Sequence, residues 1–180
     1  MEPKTSVIEM YEEARRYFMG EGILNKTLER LSTDLETHGI DYMVIGAVAL
    51  LAHGYPRFTE DIDLVMTSEG IEKFHSKANG VRIDIMTTGE YPGDGRPKPV
   101  SMPVPADAST KIDGVRFVTL EKLIELKLAS GVSAAHRLKD LADVQELIKI
   151  RNLNAEFANK LDPYVRPKYL ELEEAVRNSK

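Results

Sequence analysis

The sequence predicts an α+β fold: a small mixed β-sheet with helices on one face and helical additions at both ends. Three observations predict it. Apolar residues recur every three or four positions over residues 6–35. Short β-prone runs replace that spacing between residues 42 and 118. Helical spacing returns from Leu120 to Asn178. The expected organisation is N-terminal helices over 1–40, an α/β core over 41–118 and a C-terminal helical region over 119–180.

In chain order, Val7, Met10, Tyr11, Ala14, Tyr17 and Phe18 mark a helix over residues 6–19, with Ser6 as N-cap and Glu9 placed for a capping box. Gly20 and Gly22 break it. Ile23, Leu24, Leu28, Leu31 and Leu35 line one face of a second helix that stops near His38-Gly39. Tyr42–Ile45 reads as a buried strand ended by Gly46, followed by a helix over Ala47–His53 that Gly54-Tyr55-Pro56 terminates. Ile62–Met66 is a second strand, Ser68–Lys77 a short helix capped by Ser68, and Val81–Met86 a third strand. Residues 87–110 hold Pro92, Pro97, Pro99, Pro103 and Pro105 with Gly89, Gly93 and Gly95, and read as one long loop, either a lid or a disordered insertion. Asp113-Gly114 marks a hairpin tip, and Val115–Val118 continues as the fourth strand. Helices are expected over Leu120–Ser130, Ala134–Ile150, Ala155–Lys160 and Lys168–Asn178.

Across its 180 residues the chain carries 24 Lys and Arg against 29 Asp and Glu, a net charge of -5. A chain of that sign is not built to coat nucleic acid non-specifically, which rests on many Lys/Arg–phosphate contacts. It has no cysteine, which excludes disulfides, thiolate zinc sites and a Cys nucleophile. Met1-Glu2-Pro3-Lys4 lacks the apolar core of a signal peptide, and the apolar stretch Tyr42–His53 falls short of the roughly 20 residues that span a bilayer. A cytoplasmic protein without a membrane partner is the expectation.

The chemistry concentrates between Ile45 and Asp84. Side chains at i and i+2 of a strand share a face, so Asp61 and Asp63 project together about 7 Å apart while Ile62 and Leu64 enter the core. Arg82 and Asp84 lie on one face of the third strand. If that strand pairs with the second, Asp84 joins the other two carboxylates. Oxygen-only ligands in a compact set favour Mg²⁺, and three carboxylates around one or two Mg²⁺ form a polymerase-type centre. Gly46-Ala47 at a strand-to-helix turn lets backbone N–H groups approach a phosphate. Arg57 is a candidate grip for a triphosphate, with Thr59 adding a hydroxyl.

Ile45-Gly46-Ala47, residues 48–60 and then Asp61-Ile62-Asp63-Leu64 resemble the signature of the DNA polymerase beta-like nucleotidyltransferase superfamily. The wider string, Gly46 to Leu50 and His53-Gly54-Tyr55-Pro56-Arg57-Phe58-Thr59-Glu60 before the Asp pair, is similar to the abortive-infection toxin and minimal nucleotidyltransferase group. The resemblance covers residues 42–86, and a weaker one continues in Glu125, Lys127, Arg137, Lys139-Asp140 and Asp143. It implies a nucleotidyltransferase core in which Asp61, Asp63 and Asp84 are catalytic and hold two Mg²⁺. It further implies that Gly46, Ala47, Arg57, Thr59 and Lys127 bind the phosphates of an NTP. Asp140 is then a catalytic or structural partner. The implied reaction moves an NMP from an NTP to an acceptor hydroxyl on an RNA 3′ end or a protein, with an antitoxin as a candidate partner. Where the family usually has Gly or Ser, this chain has Ala47, which offers no hydroxyl, so phosphate binding there rests on backbone N–H groups.

Plainer readings stand beside these. An Asp-x-Asp pair also suits a solvated strand face. Lys127 and Lys139 also suit the polar faces of amphipathic helices, and Asp140 and Asp143 suit helix-surface ion pairs. His53 reads as a helix-end histidine favoured by the dipole, ahead of a role in holding the Arg57 loop. Glu60 reads as an exposed turn residue. Tyr11, Tyr17 and Phe18 read as core or interface, and the N-terminal helix packs on its own domain or on a second subunit, which keeps a homodimer open. Two competing functions remain: a catalytically weak nucleotide-binding module, motivated by Ala47, and a metal-dependent phosphohydrolase using the same carboxylates.

Overall fold

In the computed structural model, which describes residues 6–74 and 80–179, Ser6 and Glu9 exchange backbone and side-chain hydrogen bonds to open helix α1 (Val7–Phe18). Helix α2 (Ile23–Thr37) follows and ends at His38. Strand β1 (Tyr42–Ile45) is buried along its whole length and runs directly into α3 (Gly46–Ala52). Strand β2 (Asp61–Met66), helix α4 (Ser68–Lys73) and strand β3 (Arg82–Thr87) come next. Thr67, not Ser68, caps α4 by accepting from Gly70 N–H, and the helix ends at Lys73. Residues 75–77 of the longer helix expected there lie outside the described residues.

The expected loop over 87–110 is corrected at its C-terminal end. Pro105 sits in the first turn of a short helix α5 (Pro105–Ala108), where its missing N–H costs nothing. Strand β4 (Ser109–Ile112) then pairs antiparallel with β5 (Val115–Val118). Asp113 and Gly114 both take positive φ, 48° and 87°, as a two-residue hairpin turn requires. The sheet therefore has five strands, not four, in the order β3-β2-β1-β5-β4. β1–β2 and β4–β5 are antiparallel, whereas β2–β3 and β1–β5 are parallel.

Helix α6 (Leu120–Ser133) leaves β5 under a Thr119 cap. A 3-10 turn over Ala135–Arg137 leads into α7 (Leu138–Ile150), another 3-10 turn spans Ala155–Lys160, and α8 (Arg166–Asn178) carries Pro167 in its first turn. One apolar core runs through these elements, from Tyr17 and the leucines of α2 through β1, β2, α6 and α7 to Val176 of α8. Among the described residues no helix is long and apolar enough to cross a membrane.

Of the three N-terminal aromatics only Tyr17 is core. It meets Phe58 edge-on, with ring centroids 5.4 Å apart, and its hydroxyl donates to the Arg57 carbonyl at 3.3 Å. Phe18 is 46% and Tyr11 74% exposed. His53 is buried, with Nε2 2.7 Å from the Val118 carbonyl oxygen. Burial lowers its pKa against that hydrogen bond, which favours the neutral ring. Its role is a clip between the end of α3 and β5 rather than a charged partner of the helix dipole. Glu60 is exposed, as expected.

Candidate active site

Burial along β2 alternates: Ile62 and Leu64 are fully covered while Asp61 and Asp63 are only partly so. The parallel register of β2 and β3 sets Asp63 beside Asp84 and Asp61 beside Arg82, and the antiparallel register with β1 sets Asp63 beside Ile45. Cross-strand partners share a face, so Asp61, Asp63 and Asp84 stand together on one surface of the sheet. The pairing on which Asp84 depended is present.

Each carboxylate has its own neighbour. Thr59 Oγ1 donates to Asp61 Oδ1. Arg82 forks onto Asp84, Nε to Oδ1 at 2.9 Å and Nη2 to Oδ2 at 2.7 Å. Asp63 has Gly46 in front of it: a Cβ at Gly46 would overlap Asp63 Oδ2 and lie 2.8 Å from its Cγ. Gly46 also has a φ of 67°, a left-handed conformation that suits glycine. The turn glycine is thus fixed twice, by its backbone and by the carboxylate it admits. Burial, with Asp61 and then Asp84 nearby, raises the Asp63 pKa to about 6, while Lys127 and Arg137 pull it back.

Opposite the carboxylates, α6 and α7 supply a buried ionic cluster. Lys127 Nζ donates to Asp140 Oδ1 at 3.0 Å and to Asp143 Oδ2 at 2.7 Å. Arg57 Nη1 donates to the same Asp143 oxygen at 2.6 Å. Asp140 Oδ2 also accepts from Ser130 at 2.7 Å and Arg137 at 2.8 Å. Burial pushes the Asp140 pKa up, and Lys127, Ser130 and Arg137 together outweigh it, leaving the carboxyl below its ordinary value. Three cations (Arg57, Lys127, Arg137) face two carboxylates (Asp140, Asp143), so the cluster carries one excess positive charge.

Gly46, Asp63, Lys127, Arg137 and Asp140 line a common cleft of about 260 Å³. Ala47 is packed in the core instead. Arg57 and Thr59 are not among the residues that line this cleft. Arg57 ties the approach to β2 onto α7 through Asp143, and Thr59 holds Asp61. Lys139 is exposed, and Glu125 accepts from Lys122 and from the Asp162 N–H, anchoring the C-terminal segment. Sequence reasoning missed Ser130 as a partner of Asp140 and missed the wall of the cleft formed by Met86, Tyr91, Pro92 and Met102. No sequence signal links Arg57 to a residue 86 positions later.

Replacing Gly46 with Ala is expected to destabilise the protein by about 2–4 kcal/mol, combining left-handed strain with the clash against Asp63. In an Asp63→Gly background the same Ala should cost only the backbone strain, about 1–2 kcal/mol. Urea unfolding of the single and double variants checks this; equal costs in both backgrounds would refute the steric part.

No protein-family model and no curated protein matches the chain. Solved structures resemble it in fold, among them the following two. JHP933 from Helicobacter pylori aligns with a TM-score of 0.51 at 14% identity, covering 93% of each chain. A candidate nucleotidyltransferase from H. pylori aligns with a TM-score of 0.47 at 14% identity, covering 87% of this chain and 92% of the other. At these identities the likeness is one of fold.

Proposed function

We propose that the chain is a Mg²⁺-dependent nucleotidyltransferase, moving an NMP from an NTP to an acceptor hydroxyl on an RNA 3′ end or a protein. One observation carries the reading: Asp61, Asp63 and Asp84 share a sheet face, and Asp63 of that face lines a cleft with Gly46, Lys127 and Arg137. The signature around Gly46 and the Asp pair points the same way.

The donor set fits magnesium. All three side chains are hard oxygen ligands, and Asp63 is held among like charges that a cation would relieve. Among the described residues no three acidic or histidine side chains close on one point as they stand, and Arg82 and Thr59 hold Asp84 and Asp61. Asp61, Asp63 and Asp84 would hold the ion, with Asp84 released from Arg82. Magnesium held there would supply charge stabilisation to the phosphates and to the attacking oxygen.

The chain's own groups do the rest. Lys127 and Arg137 offer positive charge to a triphosphate from the helical side. Gly46 leaves room for the Asp63 carboxylate. Asp84, whose side chain is 37% exposed, is open to an acceptor and takes the hydroxyl proton. The acceptor oxygen then bonds to the α-phosphorus, the bond to the bridging oxygen breaks, and pyrophosphate leaves.

The test is label transfer. The protein is incubated with each α-labelled NTP, Mg²⁺, total RNA and lysate proteins, beside an Asp61→Ala/Asp63→Ala control. Label is expected in RNA or protein only with the intact carboxylates. NTP binding without transfer to any acceptor would favour the non-catalytic module, and release of phosphate rather than pyrophosphate would favour a phosphohydrolase.

A further inference from the structure

The segment between β3 and α5 is a wall fixed to the helical side of the cleft, and its position has chemical meaning. Gly89 N–H donates to the Met102 carbonyl at 2.8 Å and Met102 N–H to the Glu90 carbonyl at 2.7 Å, which closes the loop at its base. Lys98 Nζ donates to the Pro92 carbonyl at 2.6 Å and to Asp94 at 2.7 Å, which braces its tip. Gly93, with φ of 80°, lies so close to α6 that a Cβ would sit 2.9 Å from Ser130 Cα. Pro92, Val100 and Met102 are buried. A loop pinned at base, tip and flank is a preformed surface, not a free flap.

That surface makes the cleft two-sided in chemistry. Asp63, Lys127 and Arg137 give its lining charge, and Met86, Tyr91 and Met102 give it apolar surface. Met86 follows Asp84 by two residues on the same face of β3, one pleat or about 7 Å further on. An NTP carries the same two chemistries, charged phosphates and a flat apolar-faced base. Lys98 Nζ lies 5.7 Å from the Tyr91 ring centroid, which holds the ring's orientation.

From this juxtaposition we infer that Tyr91, flanked by Met86 and Met102, is the stacking platform for the nucleobase of the bound NTP. The inference rests on the reading of the cleft as an NTP site. Stacking reads the face of a base rather than its edge, so all four nucleotides bind, and purines bind tighter through their larger π-surface. The methionines supply soft apolar contacts that adapt to either ring size.

The experiment is equilibrium binding by calorimetry in Mg²⁺, with ATP, CTP and inorganic tripolyphosphate as probes, on the wild type, Tyr91→Leu and Tyr91→Phe. Leu keeps apolar bulk in the wall without a ring, and Phe keeps the ring. The wild type is expected to bind ATP tighter than CTP and both tighter than tripolyphosphate. Tyr91→Leu should lose about tenfold in ATP affinity, less for CTP, and nothing for tripolyphosphate, while Tyr91→Phe stays near wild type. Unchanged ATP affinity in Tyr91→Leu, with tripolyphosphate still bound, would overturn the stacking role and leave the NTP site standing. Loss of tripolyphosphate along with ATP would show that Tyr91 only supports the fold of the cleft, which also overturns it. Failure of the wild type to bind either ATP or tripolyphosphate would remove the NTP site itself.

Discussion

Asp63→Asn is expected to abolish nucleotidyl transfer and at the same time to stabilise the fold. The loss follows from the proposed metal role: charge stabilisation at such a centre is worth several kcal/mol, and each 1.36 kcal/mol is tenfold in rate, so the expected fall is about a thousandfold or more. The gain follows from the carboxyl's surroundings. Burial, then Asp61 and Asp84, raise its pKa from 3.8 to about 6. A carboxyl with a raised folded pKa costs stability once it is ionised. The cost is absent below the unfolded value near 4, grows between about 4 and 6, and is full above 6. Two pH units correspond to about 3 kcal/mol, reduced to about 2 kcal/mol for the part of the group that water reaches. Asn does not titrate. In EDTA the variant should therefore exceed the wild type by about 2 kcal/mol at pH 8, and the gap should close towards pH 4. Urea unfolding at pH 4.5, 6 and 8 measures it, and a gap that does not change with pH would refute the electrostatic account. Adding Mg²⁺ should raise the wild-type stability and leave the Asn variant unmoved, because a ligand stabilises only the state that binds it.

The same residue shows what the sequence could disclose. That Asp61 and Asp63 share a face followed from the two-residue period of a strand with Ile62 and Leu64 inside. That Asp84 stands beside Asp63 depended on the register of β3, which no residue between 67 and 81 encodes locally. Gly46 was legible as a turn glycine, but the second reason for it, the Asp63 carboxylate filling the place of a side chain, belongs to β1–β2 pairing. Strand β4 was hidden because Ser109, Thr110 and Lys111 are polar and follow a proline-rich run; an edge strand needs no apolar face. Arg57 and Thr59 stood out as a string before the Asp pair. Their partners did not: Thr59 bonds Asp61 only two residues away, whereas Arg57 crosses to Asp143 on α7. Charged residues of opposite sign abound in this chain, so sign alone cannot choose the pair.

Lys127→Met is expected to cost about 3–5 kcal/mol, the range for breaking a buried ion pair from one side. Lys127 is 7% exposed, and Asp140 and Asp143 are 1% and 4% exposed. Its removal leaves Asp143 with Arg57 and leaves Asp140 with Ser130 and Arg137. Each buried carboxylate loses a charge-assisted hydrogen bond, and that loss is what destabilises, so removing one of the two acceptors should restore part of the stability. Lys127→Met/Asp143→Asn is expected to recover about 1–3 kcal/mol relative to the sum of the single variants, the coupling normal for contacting groups. Urea unfolding of the four proteins gives the coupling, and strict additivity would refute the pairing. The cycle also separates scaffold from chemistry. Lys127 lowers the Asp63 pKa, so its loss should move that titration upward and keep Asp63 protonated closer to neutral pH. A double variant that regains stability without regaining transfer places Lys127 in the reaction, through the phosphates and through Asp63. One that regains both makes Lys127 a strut between α6 and α7, with the triphosphate left to Arg137.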